Sequence, residues 1–241
     1  LFSGYFGENA TVSEGDVAFA KAAGESGNVV VVSQLQYEEK YETNAEGLTE
    51  FPIKDIYYPY KELMENAYVG YANVAQDSDG TVRRIILNEE YEGEQIDTFS
   101  KKIYDLYCES QGIIPNVVTT DKYNKLLINY SGKPGDYEYI SLVDVLNGKI
   151  DCRTFKNSIV LVGAYAAGMQ DNFNVPNGYS KQMFGVEIHA NILQSFMQGR
   201  FSINGNPYIA GITLGLICGI LHLVFRKSKI WISTILLVLA I

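Results

Sequence analysis

Residues 208–225 (YIAGITLGLICGILHLVF) run eighteen positions without a charged side chain. At a helical rise of about 1.5 Å per residue this segment is about 27 Å long, close to the thickness of a bilayer core. A helix that is apolar all round is stable only inside a large core or in lipid. Arg226, Lys227 and Lys229 follow, and residues 230–241 (IWISTILLVLAI) are apolar again but, at twelve, too few to cross. Short loops rich in Lys and Arg stay in the cytoplasm, so the first span is expected to run inward, leaving residues 1–206 outside. Leu1-Phe2-Ser3 has none of the marks of a leader, so an export element upstream is expected, as is the rest of a second span beyond 241. The expected division is an exported domain at 1–206, a membrane helix at 207–225, a cytoplasmic loop at 226–229 and the start of a second span at 230–241.

Charge separates the same two regions. All 28 acidic residues and 16 of the 19 basic ones lie in residues 1–206, and that acidic balance argues against nucleic acid as a partner. Three cysteines cannot staple a domain of this size, so a hydrophobic core must hold it. Cys108 and Cys152 both fall in the exported part; spacing alone leaves a disulfide and two free thiols equally open.

Periodicity predicts the elements. A short helix is expected over 16–23, with Ser13 as cap and Gly24 and Gly27 at its end. A buried strand follows at 28–33 (NVVVVS), and then a polar loop over 36–48. Residues 61–66 read as a short helix. Strands are predicted at 68–74 and 81–87, joined by a reversal in which Gly80 takes positive φ. Ile96, Phe99, Ile103 and Leu106 recur at helical spacing and predict a helix over 97–108. A strand at 126–130 and a helix opened by a Ser141/Asp144 capping box and closed by Gly148 come next. Residues 158–165 (SIVLVGAY) read as a central strand. A last helix over 185–200 is expected to present Val186, His189, Ala190, Leu193, Phe196 and Met197 on one face. Such alternation predicts an α/β fold, a layered mixed sheet flanked by helices, followed by transmembrane helices.

Few residues read as chemistry. Residues 77–80 (DSDG) lack the further oxygen ligands calcium needs, and a hairpin turn accounts for them. Arg83 and Arg84 alternate along one strand, so one of them can meet an anion or a buried carboxylate while the other is solvated. His189 lies on an apolar helix face, where it serves either as a hydrogen-bonded core residue or as a pH-responsive, ligand-contacting group. Gly168 and Asp171 fall in the polar loop after the strand at 158–165, the place where open α/β sheets tend to hold ligands. The candidate ligand contacts are therefore Gly168, Asp171, His189 and Arg83. No nucleophile elbow, phosphate loop or zinc motif is present, so catalytic residues, metals and cofactors are not expected. Gly211, Gly215 and Gly219 repeat every fourth residue in the apolar segment and point to a helix-packing face, against the second span or a second protomer.

Five stretches in this order resemble one family: 28–33, 71–84 (YANVAQDSDGTVRR), 128–132 (INYSG), 158–173 (SIVLVGAYAAGMQDNF) and 184–201 (FGVEIHANILQSFMQGRF), with apolar segments closing the series. Together they are similar to the CHASE2 domain, an extracytoplasmic sensory module of bacterial receptors. The resemblance implies a span and strands upstream, further spans downstream and a cytoplasmic output domain such as a cyclase, kinase or phosphodiesterase. Implied partners are the lipid bilayer, a small-molecule or envelope ligand of unknown identity, and a second copy in a homodimer. The rival reading is a membrane-anchored envelope protein with a structural or assembly role.

Overall fold

Ser13 opens the first helix, α1 (Glu14–Ser26): its hydroxyl accepts from the Asp16 N–H while the Asp16 carboxylate accepts from the Ser13 N–H. The structure, a computed structural model, describes residues 12–40, 42–43, 49–169, 171–202, 205 and 207–227. Helix α1 continues through Gly24, where the sequence predicted its end, and stops at Gly27, whose φ of 64° closes the final turn. Gly24 persists inside the helix because Asn66 lies against it; a Cβ at 24 would meet the Asn66 Oδ1 at 2.4 Å.

The chain continues through β1 (Val30–Tyr37), β2 (Glu42–Thr43), β3 (Thr49–Glu50), β4 (Ile53–Tyr57), the short α2 (Lys61–Met64) and β5 (Tyr68–Tyr71). Strand β1 is central in a three-stranded mixed sheet, with β5 parallel on one side and β4 antiparallel on the other. It is longer than the 28–33 strand predicted, and the expected 36–48 loop holds the end of β1 and the start of the β2–β3 pair; residues 44–48 lie outside the described ones. Ala20, Ala23 and Leu63 pack on Val31, so α1 and α2 cover one face of this sheet.

A second sheet follows. Strands β6 (Ala75–Gln76) and β7 (Val82–Ile86) form a hairpin through the predicted turn, with Gly80 at φ 73°, but the strand predicted at 68–74 is not its first arm: as β5 it pairs with β1 in the other sheet. Next comes a hairpin the sequence reading missed, β8 (Asn88–Tyr91) and β9 (Glu94–Asp97), turning through Glu92 and Gly93 at φ 52° and 82°. The predicted amphipathic helix is α3 (Phe99–Gln111), capped by the Thr98 hydroxyl and closed by Gly112. Strand β10 (Lys125–Leu127) pairs with β7, giving the order β10-β7-β6. The remaining elements are α4 (Leu142–Leu146), β11 (Asn172–Phe173), β12 (Met183–Phe184), α5 (Gly185–Gln198) and α6 (Pro207–Lys227). Helices α3 and α5 pack together over the β7–β10 sheet, with Val82, Ile85, Leu126, Tyr104, Ile188 and Phe196 at the centre of the main core. The Tyr104 and Phe196 rings stack there at 5.3 Å.

Three expectations are corrected. Residues 158–165 form neither strand nor helix, and Val160 and Val162 are exposed. Strand β4 pairs only with residues 34–37 of β1, and residues 157–162 face the first half of that strand across a cleft instead of pairing with it. The capping box at Ser141 does not form; α4 has no side-chain cap there, and the Asp144 carboxylate instead binds the Lys149 ammonium at 2.7 Å. On α5 the buried side is rotated from the one predicted. Ile188, Asn191, Ile192 and Ser195 are buried with Leu193 and Phe196, whereas Met197 is exposed. The rotation occurs because the polar side chains of Asn191 and Ser195 find partners inside, which an apolar count does not register.

Helix α6 lies outside the first compact unit, Leu1–Ile203. It is 21 residues long and carries Gly211, Gly215 and Gly219 at spacing four. Its large apolar side chains, Ile212, Leu216, Ile217, Ile220 and Leu223 among them, are exposed around the helix. Among the described residues no helix is long and apolar enough to cross a membrane. The predicted second span at 230–241 and the end of the basic loop lie outside the described residues. Cys108 is a buried free thiol and Cys152 an exposed one, so no disulfide joins them.

Candidate functional site

The N-terminal corner of α5 gathers the most chemistry. After residues 158–165 the chain makes a tight turn at Ala167–Met169, enters β11, loops back through β12 and starts α5 at Gly185. Asp171 lies directly against that first residue. A Cβ at 185 would come within 2.6 Å of its Oδ1 and 2.7 Å of its Oδ2, so glycine leaves the carboxylate its place. The Asp171 carbonyl accepts the Gly185 N–H at 3.0 Å. Burial raises the Asp171 pKa from its ordinary value. Among the described residues no hydrogen bond reaches that carboxylate.

Glu187, two residues into the helix, is in the opposite condition. It is 3% exposed, yet it accepts the Gly135 N–H at 2.8 Å and the Phe184 N–H at 3.2 Å. Those donors, with the positive end of the helix dipole, make its burial tolerable. One turn further, Asn191 donates to the Glu187 carbonyl at 2.9 Å and accepts the Gly132 N–H at 3.0 Å. The turn at residues 131–135 (SGKPG) is thus pinned to α5 by two buried polar side chains. Tyr137 of the next stretch donates to Gln194 at 2.9 Å, and burial, reinforced by Glu187, pushes its phenol up to about 12. Tyr139, Tyr165 and Phe184 form a row of rings at 4.8 and 4.4 Å beside this corner, with Tyr139 exposed to solvent.

The four candidate ligand contacts are dispersed, with no hydrogen bond or ion pair joining them among the described residues. Gly168 is exposed in the tight turn, with open space where a Cβ would be. Asp171 occupies the α5 corner. His189 lies on the side of α5 that meets α3: its Nδ1 is 3.0 Å from the Ser100 Oγ, its Nε2 is 3.2 Å from the Ala72 carbonyl, and its ring meets Phe99 edge-on. The tautomer that satisfies both contacts carries its proton on Nε2 and accepts from Ser100 at Nδ1. Burial pushes His189 down to about 4, so the ring is neutral at physiological pH. Arg83 belongs to the β6–β7 hairpin, where its guanidinium donates to Asp77 at 2.9 Å and to both Asp79 oxygens at 2.9 and 2.8 Å; Arg84 also pairs with Asp77. Both arginines therefore brace a turn.

Glu187 and Asn191 escaped the sequence reading. Their signal was present as polar residues at 187, 191 and 195, one helical face at spacing four. All three are buried, at 3%, 0% and 1% exposure.

Two hollows accompany the corner. A cleft of about 850 Å³ lies between the first half of β1, the outer face of α3 and residues 157–162, with Val30, Val32, Phe99, Ile103 and Ile159 on its walls. A smaller hollow of about 300 Å³ sits at the other end of α5, between Asn116–Thr119 and Gly199 and Phe201. Among the described residues no three His, Cys, Asp or Glu side chains are grouped to hold a metal ion.

In comparison with known proteins, a family model described as the CHASE2 domain matches residues 3–224. No curated protein and no solved structure matches the chain.

Proposed function

The chain belongs to the CHASE2 domain family, an extracytoplasmic sensory domain family of membrane receptors, and from this we propose that it is the signal-input part of a bacterial receptor that relays through membrane helices to a cytoplasmic output domain. The observation that carries the reading is the extent of the match. Residues 3–224 take in both the folded unit and nearly all of the uncharged 208–225 segment, so domain and apolar helix form one family unit. Helix α6 acts as the first span, entering from outside, with Arg226, Lys227 and Lys229 holding its far end in the cytoplasm. The glycine face at 211, 215 and 219 lets a neighbouring helix, from the same chain or from a second protomer, approach within backbone distance.

Stimulus reaches the span through α5. This helix begins at the Asp171 corner, is buried along most of its length and ends at Gly199, eight residues before α6 begins. A ligand at the corner shifts α5 only if it binds two arrangements of the corner unequally. The Asp171 carboxylate, which no hydrogen bond reaches among the described residues, and the exposed Tyr139 ring at the end of the aromatic row support the corner as the place for such a ligand.

Topology is tested with the full-length protein carrying a reporter at Glu39, exposed after β1. A phosphatase that works only outside the cytoplasm should be active there. Strong signal from a cytoplasm-only reporter at the same position overturns the reading. Coupling is tested by Gly185→Ala, which crowds Asp171: full-length output at fixed stimulus should change, and unchanged output removes the corner from the signal path.

A further inference from the structure

One loop of the folded unit carries large apolar side chains at its surface. Between Glu109 and Asp121 the chain carries no charge over residues 110–120 (SQGIIPNVVTT), in a domain that is otherwise strongly acidic. After α3 closes at Gly112, this stretch forms a loop in which Ile113 is 48%, Ile114 88% and Val117 95% exposed. Loops that meet only water favour polar and turn-forming residues, and here β-branched apolar side chains stand at the surface on either side of Pro115.

The loop is held in place. The Asn116 N–H donates to the Tyr104 hydroxyl at 3.1 Å, its side-chain amide donates to the Phe196 carbonyl at 3.1 Å, and Val118 packs on the main core. Those partners fix its position in the fold: it lies against the C-terminal end of α5, sharing a hollow with Gly199 and Phe201. Phe201 is six residues from Pro207, where α6 begins, and an extended chain covers at most about 3.5 Å per residue, or about 21 Å over that distance. At most that length of chain separates Phe201, which shares the hollow with Val117, from the first residue of α6.

We propose that the 113–117 loop inserts Ile114 and Val117 into the lipid interface and seats the membrane-proximal end of α5 on the bilayer surface. This rests on the reading of α6 as a span. The partner is the headgroup and upper acyl region of a phospholipid bilayer, met by apolar contact; the loop has no basic residue and needs no anionic lipid. The loop then gives the folded unit two attachments, one covalent through α6 and one apolar at the end of α5.

The test reads depth. The chain, with its native cysteines replaced by serine, is reconstituted into phosphatidylcholine vesicles with one environment-sensitive fluorophore at Val117→Cys, at Ile220→Cys in α6, or at Tyr179→Cys. Tyr179 is 93% exposed and lies in the loop before β12, at the opposite end of α5. Nitroxide-bearing lipids then quench by contact. The expected result is strong quenching at 220 by an acyl-chain nitroxide, quenching at 117 by a headgroup-level nitroxide several-fold above that at 179, and no change at 117 when phosphatidylglycerol is added. If 220 is quenched and 117 behaves like 179, the loop does not touch lipid and this proposal fails while the span stands. If 117 is shielded from both lipid nitroxide and aqueous iodide, protein covers the loop, which also overturns the proposal. If 220 is not quenched, α6 is no span and both readings fall.

Discussion

Replacing His189 with glutamine should flatten the acid sensitivity of the folded unit. In the structure the imidazole is neutral, donating from Nε2 to the Ala72 carbonyl and accepting from the Ser100 hydroxyl. Burial lowers its pKa to about 4, against about 6.5 for the unfolded chain. Between those values the unfolded state binds a proton that the native state does not. Stability from this group is therefore complete above about pH 6.5 and is lost as pH falls toward 4. The gap of about 2.5 units corresponds to about 3 kcal/mol at most, and to less because the ring keeps some accessible surface. The carboxyls of Asp16, Asp79 and Asp151, lowered by hydrogen bonds from Ser13, Arg83 and Arg153, lose their contribution only below the ordinary carboxylate range, outside this window. Asp171, raised by burial, works with the opposite sign and adds stability as it takes up a proton. Both effects are common to the wild type and the variant, so their difference isolates His189. The assay is urea unfolding of the detergent-solubilised chain, followed by circular dichroism from pH 7.5 to 4. Wild type should lose roughly 1–3 kcal/mol more than His189→Gln over that range. A difference that stays constant with pH, or an NMR titration placing His189 near 6.5, refutes the argument.

Gly70→Ala should destabilise the fold by about 1–3 kcal/mol in the same assay, because its Cβ would lie 2.7 Å from the Phe99 Cα, a backbone atom that cannot turn aside. Phe196→Ala should cost about 3–5 kcal/mol, since that ring is 1% exposed and stacks on Tyr104. In a Cys218→Ser background a water-soluble maleimide should modify Cys152 in the native protein and Cys108 only after urea is added; equal rates would contradict their burial. Gly215→Leu should weaken helix association in a membrane two-hybrid assay, while Leu216→Phe, off the glycine face, should change it little; equal effects would reduce the glycines to ordinary membrane composition.

What was legible in the sequence were features set by local chemistry. Helices α3 and α5 announced themselves by period, Gly80 by the turn it must make, and α6 by its lack of charge. Residues 158–165 misled because a β-branched run does not specify a partner strand, and here it faces the first half of β1 across a cleft without pairing to it. The β8–β9 hairpin went unseen because its strands are mostly polar and its turn uses Glu92 at positive φ. In the candidate site, Asp171 was legible from its place in the loop. Glu187 and Asn191 were not, because their burial depends on N–H groups of residues 132 and 135, about fifty positions away in sequence.

Those bonds also decide what kind of motion α5 can make. One side of the helix is fixed by apolar packing of Ile188, Ile192 and Phe196 against the β7–β10 core. Another is fixed by Glu187 and Asn191, whose bonds to Gly135 and Gly132 depend on register along the helix axis. A small slide would strand a buried carboxylate and a buried amide together, and a group left unsatisfied in this way costs about 1–3 kcal/mol, more when it is charged. Gradual displacement is therefore disfavoured, and any other seating of α5 has to rebond both side chains. A relay through α5 needs such a second seating. Replacing Asn191 with leucine removes the register lock while keeping similar bulk. The full-length receptor should then respond over a broader stimulus range with a higher resting output. An Asn191→Leu receptor with an unchanged dose response would show that the signal bypasses α5.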